Sequence, residues 1–196
     1  MQAVIGELID NGYAGTTVER VAARAGIAKT TIYRRWGGLD GLLADLMAEH
    51  AAQEIPVPDE GSLDADLRAL ARSVVASLGD PAIRAAFASM VAAAVQNQSA
   101  REVLSRFLAA RTAKMIVIIG RAALRGELPP GTDAAGVIRT VTALIYYRLF
   151  IAGDQASQDI ADTAAAAAAA AARIGVLSAP ARDRPRGPQA GLAGRA

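Results

Sequence analysis

No cysteine occurs in the 196 residues, which excludes disulfides, thiolate nucleophiles and thiolate metal sites. Histidine occurs once, at position 50, so no pair of imidazoles exists to hold a metal or relay a proton. His50 follows Glu49 at the end of a polar helical segment and is expected to be exposed. Aromatic residues make up only 4% of the chain, with a single tryptophan. No nucleophile stands in a pattern with a base, no carboxylates pair at helical spacing in an apolar setting, and no glycine-rich phosphate loop appears. These absences argue against an enzyme, and no metal or cofactor is expected. Long uncharged runs are also missing. The most apolar stretches, 115–124 and 137–152, are interrupted by Arg121, Arg139 and Arg148, and neither reaches the ~18 uncharged residues of a membrane span. Met1 is not followed by a basic, then apolar, then small-residue pattern. A soluble, cytoplasmic protein without membrane contact is the expectation. Strand signals are absent as well, and every periodic segment is helical.

What is present is apolar and alanine-rich. Hydrophobic residues make up 53% of the chain, enough for the core of one or two small domains. The net charge of +2 is misleading as a sign of nucleic-acid binding. Residues 179–196 hold four arginines against Asp183, or +3, which leaves −1 for the rest. Within the first 55 residues, five basic side chains face seven acidic ones. The basic charge is local: Arg20, Arg24, Lys29, Arg34 and Arg35 lie in residues 20–36 with no acid among them. Local placement steers a phosphate backbone.

Residues 16–36 carry the chemistry. Val18, Val21, Ala22 and Ala25 fall at i, i+3, i+4 and i+7, one face of a helix. Thr17 precedes that run and is placed to cap it. Gly26 follows it and suits a left-handed helix end. Ile27 is expected to point back at the first helix, and the small Ala22 to let the two axes approach. A second helix runs from about Ala28 to Arg34, with Ile32 as its buried contact and Trp36 packed at its end. Its outer face holds Lys29, Thr30, Thr31, Tyr33, Arg34 and Arg35. Lysine and arginine neutralise phosphates, and threonine offers a hydroxyl to a base edge and a methyl to thymine. Helix, tight turn and helix with such a face fit a DNA groove; a solvated basic hairpin has the same composition.

The order of residues discriminates further. Gly12-Tyr13, Thr16-Thr17-Val18, Val21 to Gly26 and Lys29 to Trp36 closely resemble the DNA-binding domain of the TetR (tetracycline-repressor-type) transcriptional regulators, from residue 3 to about 47. The resemblance implies phosphate contacts from Thr17, Lys29, Tyr33 and Arg35, and base approach by Thr30 and Thr31. It also implies a three-helix head, a connecting fourth helix and a larger helical body that binds a small-molecule effector. Homodimers would form through the last two helices, about 133–177. Repression of a near-palindromic operator, relieved by an unidentified ligand, is the implied function, with the protein on the nucleoid when bound. A helical interaction or scaffold protein that has lost operator binding is the alternative. Three departures from the family bear on this. Ala28 replaces a frequent serine cap, Gly38-Leu39-Asp40 lacks a frequent lysine, and the first helix is about two turns short with no basic arm.

The fold class expected is therefore all-α: a helix-turn-helix head over residues 1–47, a ligand-binding and dimerisation bundle over 48–178, and a disordered tail over 179–196. Leu42, Leu43, Leu46 and Met47 form the stripe of a helix from Leu39 to about Gln53. Residues 54–61 form a proline-containing linker. Ser62 opens a helix to about Leu78, and Asp80-Pro81 opens one to about Gln96. Ser99 and Glu102 form a capping box for a long helix through about Arg125, with Val103, Leu104, Phe107, Leu108, Ile116, Ile119 and Leu124 near one side. Thr132 caps a helix through about Ile151, and a last helix covers about 157–177. Its nine consecutive alanines, 164–172, read either as compositional drift or as a close-approach dimer face. Arg68, Phe87, Met90, Phe107 and Met115 are candidate effector contacts. Tyr146 and Tyr147 are divided between pocket and interface.

Overall fold

The computed structural model describes residues 1–52 and 56–178, with side chains left aside from 47 to 55. The side chains of Met47 and His50, residues 54 and 55 of the 54–61 linker and the 179–196 tail therefore lie outside what is described. Nine α-helices are present among the described residues: α1 (Gln2–Gly15), α2 (Val18–Ala25), α3 (Lys29–Trp36), α4 (Leu39–Ala52), α5 (Leu63–Gly79), α6 (Pro81–Gln96), α7 (Gln98–Leu124), α8 (Ala134–Tyr146) and α9 (Gln158–Arg173). The all-α expectation holds.

The head is α1 to α3, closed by α4. Val4 and Leu8 of α1, Val18, Val21 and Ala22 of α2, Ile32 of α3 and Leu42, Leu43 and Leu46 of α4 are all buried together. This core does not stop at the head. Ala86, Met90 and Ala93 of α6 and Ala100 of α7 belong to it, so the body grips α1 from behind. α6 reaches that position because the chain turns by 94° between α5 and α6. Asp80 makes the turn: its carboxylate accepts from the amides of Ala82 and Ile83, and Pro81 follows at the first helical position.

The larger core joins α5, α7, α8 and α9. α9 packs antiparallel on α5, with a side-chain ion pair near each end of α9. Arg72 makes a two-pronged pair with Asp162 at 2.8 Å, and Arg173 pairs with Asp64. Asp66 is fully buried and accepts from the Glu60 amide and from Arg125. Ala164, Ala165, Ala168, Ala169 and Ala172 are at most 2% exposed, within the chain's own core. Ala166, Ala167 and Ala170 face outward. The alanine run thus has one face set by intrachain packing, which neither drift nor an interface predicts by itself.

Several boundaries differ from expectation. α7 is capped by Asn97, which accepts from the Ser99 and Ala100 amides; Glu102 instead accepts from Gln98. An asparagine two residues earlier outcompetes the serine because its side chain reaches both orphan amides. Leu124 is 91% exposed, and Ile116 faces out, so the buried face of α7 runs through Met115, Ile118, Ile119 and Ala122. Thr132 does not cap α8; its hydroxyl donates to the Pro129 carbonyl, and Asp133 holds the cap position. α8 ends at Tyr146 and continues as a π turn, Tyr147–Ile151. α9 stops at Arg173 rather than 177. Ala134–Ile151 has the length and apolarity of a membrane span, but it carries Arg139 and Arg148 and buries Val137, Ile138, Val141, Ile145 and Leu149 against neighbouring helices.

Candidate nucleic-acid interface

The recognition element begins with α2. Thr17 caps it, accepting from the Arg20 amide at 3.3 Å. A cap uses an oxygen lone pair, so the Thr17 hydroxyl hydrogen stays available to a phosphate. At the other end Gly26 adopts φ 66°, and the Ile27 amide donates to the Ala22 carbonyl while Gly26 donates to Ala23. That paired closure aims α3 away from α2. Ile27 is 43% exposed, contrary to the expected inward side chain, and Ala25 is exposed too; its amide, not its side chain, makes the connection.

α3 presents Lys29, Thr30, Tyr33, Arg34 and Arg35 as exposed side chains, with Thr31 half-buried and Ile32 1% exposed. Eight residues rise about 12 Å, close to the width of a B-DNA major groove. Ala28 gives α3 no side-chain cap, as its composition implies. Arg35 lies over the Trp36 ring, 4.6 Å from its centre, and the Trp36 indole donates to Asp45 at 2.9 Å. Trp36 is therefore half-buried rather than fully core. Lys29 Nζ is 3.9 Å from Glu19, in an exposed pair.

Two of the five local basic residues have their charge offset by acids of α1. Arg20 and Arg24 both pair with Glu7, at 2.8 and 3.0 Å, and Arg24 also pairs with Asp10 at 2.6 Å. Glu7 is nearly buried, and its hydrogen bond from Arg20 holds its pKa below the ordinary carboxylate value. These ion pairs fasten α2 to α1, while Lys29, Arg34 and Arg35 stand on the outer face of α3. Asp40 accepts from Asn97 and, at 3.4 Å, from the Tyr13 hydroxyl. Neither joint was visible in sequence, because the partners lie up to 57 residues apart.

Residues 3–46 match the family model for "Bacterial regulatory proteins, tetR family", and residues 57–168 match "Tetracyclin repressor-like, C-terminal domain". The chain belongs to the TetR family of transcriptional regulators. The TetR-family chain is 27% identical over 150 residues to the HTH-type transcriptional regulator YdeS of Bacillus subtilis, covering 76% of each. It is 28% identical to AqdR of Rhodococcus erythropolis over 150 residues, 74% of this chain and 70% of that one. Among solved structures, Salmonella enterica GusR aligns with a TM-score of 0.68 at 19% identity, covering 90% of this chain and 92% of that one. FadR of Bacillus subtilis, solved with stearoyl-CoA, aligns at 0.65 and 18%, covering 89% and 96%. The relatives are DNA-binding regulators, not enzymes.

The seven candidate effector contacts do not form one group in the TetR-family body. Phe87 is buried with Tyr146 at 4.8 Å and Phe107 at 6.4 Å between ring centres. Met115 is in the same core. Met90 is in the head core instead, Arg68 is exposed on α5, and Tyr147 is 56% exposed. Sequence reasoning passed over Phe150, 5.2 Å from Phe87, and Arg111, whose guanidinium lies 5.0 Å from the Phe107 ring centre. The available signal was an arginine four residues after Phe107, a charge on an apolar helix face.

Proposed function

We propose that this protein is a ligand-responsive repressor that binds a near-palindromic operator as a homodimer, with residues 1–47 as the DNA-binding unit and 48–178 as the effector and dimerisation unit. The observation that carries the reading is the outer face of α3, where Lys29, Thr30, Tyr33, Arg34 and Arg35 are exposed around a buried Ile32. Lys29, Tyr33, Arg34, Arg35 and Thr17 contact phosphates, and Thr30 and Thr31 approach base edges. The exposed faces of α8 and α9 favour pairing: Ala143, Ala166, Ala167 and Ala170 are small, and Tyr147 and Ile151 are apolar. Two recognition helices must then match half-sites about one helical turn, or a multiple of it, apart. An effector in the body shifts the dimer toward a spacing that no longer fits, with a coupling of about 1–3 kcal/mol. The protein acts in the cytoplasm, on the nucleoid when bound.

A gel-shift titration over the DNA upstream of its own gene tests this. A sequence-specific shift with steep salt dependence is expected. Lys29→Ala should weaken all DNA alike and flatten the log–log salt slope by about 1, whereas Thr31→Ala should change base preference by about 1–3 kcal/mol at one position. Binding without sequence preference, or a Thr31→Ala variant with unchanged preference, would count against the assignment. Such non-specific binding would favour the scaffold alternative.

A further inference from the structure

α7 runs between the two cores, and its middle carries a cation in aromatic company. Phe107 and Arg111 are one turn apart on the same face. The Arg111 guanidinium stacks 5.0 Å from the Phe107 ring centre. α6 contributes Phe87, and the α8 end contributes Tyr146 and Phe150, at 4.8 and 5.2 Å from it. Tyr146 ends α8, and Phe150 lies in the π turn that follows it. Phe87 is buried, whereas Phe107, Arg111, Tyr146 and Phe150 are each only partly buried.

We propose that the effector is a monoanionic carboxylate on a flat apolar framework, its carboxylate held by Arg111 with the Tyr146 hydroxyl and its framework laid against Phe87, Phe107 and Phe150. This rests on the effector-release reading above. A guanidinium presents a planar fork of donors that matches a carboxylate, and the phenol adds a further donor. Rings at these separations accept another flat group edge-on or offset. Burial draws the Arg111 pKa below the ordinary arginine value, with Tyr146 a smaller opposing influence. An arriving anion offsets that burial. A doubly charged phosphate has more hydration to lose among rings than a carboxylate. The site also has a route to the head. Phe107 and Leu104 pack against both cores, so a ligand seated on Phe107 bears directly on the head's support.

Isothermal titration of the full chain with 1-naphthoate and, separately, 1-naphthamide at neutral pH provides the test. The acid should bind at least about tenfold more tightly than its uncharged isostere. Arg111→Gln should abolish that preference, Arg111→Lys should keep part of it, and Tyr146→Phe should weaken the acid more than the amide. If Arg111→Gln fails to fold by circular dichroism, the acid–amide pair on the native chain and Arg111→Lys still decide. Equal binding of acid and amide, or neither binding up to about 1 mM, overturns the proposal. So does unaltered acid binding in both Arg111 variants. A gel shift on the same preparation separates the two readings. A specific operator shift without anion preference removes only the effector class; no specific shift removes the regulator reading, whatever the anion does.

Discussion

Glu7 is a carboxylate that sequence patterning assigned to no role, yet it receives both Arg20 and Arg24. Its pKa is lowered in the fold, chiefly by the hydrogen bond from Arg20. A depressed carboxylate stabilises the folded chain above its unfolded pKa, and that stabilisation disappears as pH falls through the folded value. Glu7→Gln should therefore lower the melting temperature at neutral pH. The gap from the parent should close as pH drops below the ordinary glutamate value near 4.5. Thermal unfolding of both proteins between pH 7 and 3 checks this, and a gap independent of pH would contradict it. Glu19 poses the opposite case. It faces Lys29 across 3.9 Å in solvent, where such pairs contribute little to stability. Glu19→Gln should leave the melting point within about 1 °C and tighten operator binding about two- to threefold, because a carboxylate leaves the phosphate approach. Gly41 constrains the backbone. A Cβ there would lie 1.8 Å from the Trp36 carbonyl oxygen, so Gly41→Ala forces α3 and α4 apart. A loss of about 2–3 kcal/mol in denaturant unfolding is expected, on the precedent of overpacked sites.

At the scale of elements, what the sequence revealed was local and periodic. The α2 cap at Thr17, the left-handed Gly26, the Asp80-Pro81 start and the buried Ile32 all depend on neighbours within a turn, and all are found where patterning placed them. The misses were of two kinds. Competing local partners displaced two caps, Ser99 by Asn97 and Thr132 by Asp133. Long-range polar joints were invisible, because no spacing rule connects Asp40 to Asn97 or Glu7 to Arg24. The candidate DNA face was legible because one helix carries it; the proposed effector contacts were not, because residues of three helices and a π turn would assemble them. The Asp40–Asn97 joint carries a prediction. Asn97 uses its carbonyl to cap α7 and its amide nitrogen to hold Asp40 at the start of α4. Asn97→Asp keeps the cap but sets carboxylate against carboxylate. It should weaken operator binding about three- to tenfold, with the body's helicity unchanged. The swap Asp40→Asn with Asn97→Asp restores donor to acceptor and should recover most of the loss. Gel-shift affinities of the three proteins test it, and a swap no better than the single variant would show that the joint does not orient the head.

For the whole molecule, the two faces of α9 give opposite expectations for the same substitution. Ala168 is fully buried against the chain's own core, while Ala167 points outward beside Ala166 and Ala170. Ala168→Glu places an unpaired carboxylate and extra volume in the core shared by α5, α7, α8 and α9, and should prevent folding. Ala167→Glu starts from an exposed position among the described residues. If the α8–α9 face joins two subunits, Ala167→Glu places like charges near the contact where small residues would have allowed close approach. The variant should then be folded by circular dichroism, monomeric by sedimentation, and weakened on a two-half-site operator far more than on one half-site. That asymmetry follows from tethering. The second head of a dimer binds at an effective concentration set by the first, often millimolar, so its loss costs orders of magnitude on the full site and little on a half-site. An Ala167→Glu protein that stays dimeric and keeps full operator affinity would place the subunit contact elsewhere. The exposed apolar groups Tyr147 and Ile151 would then need another partner.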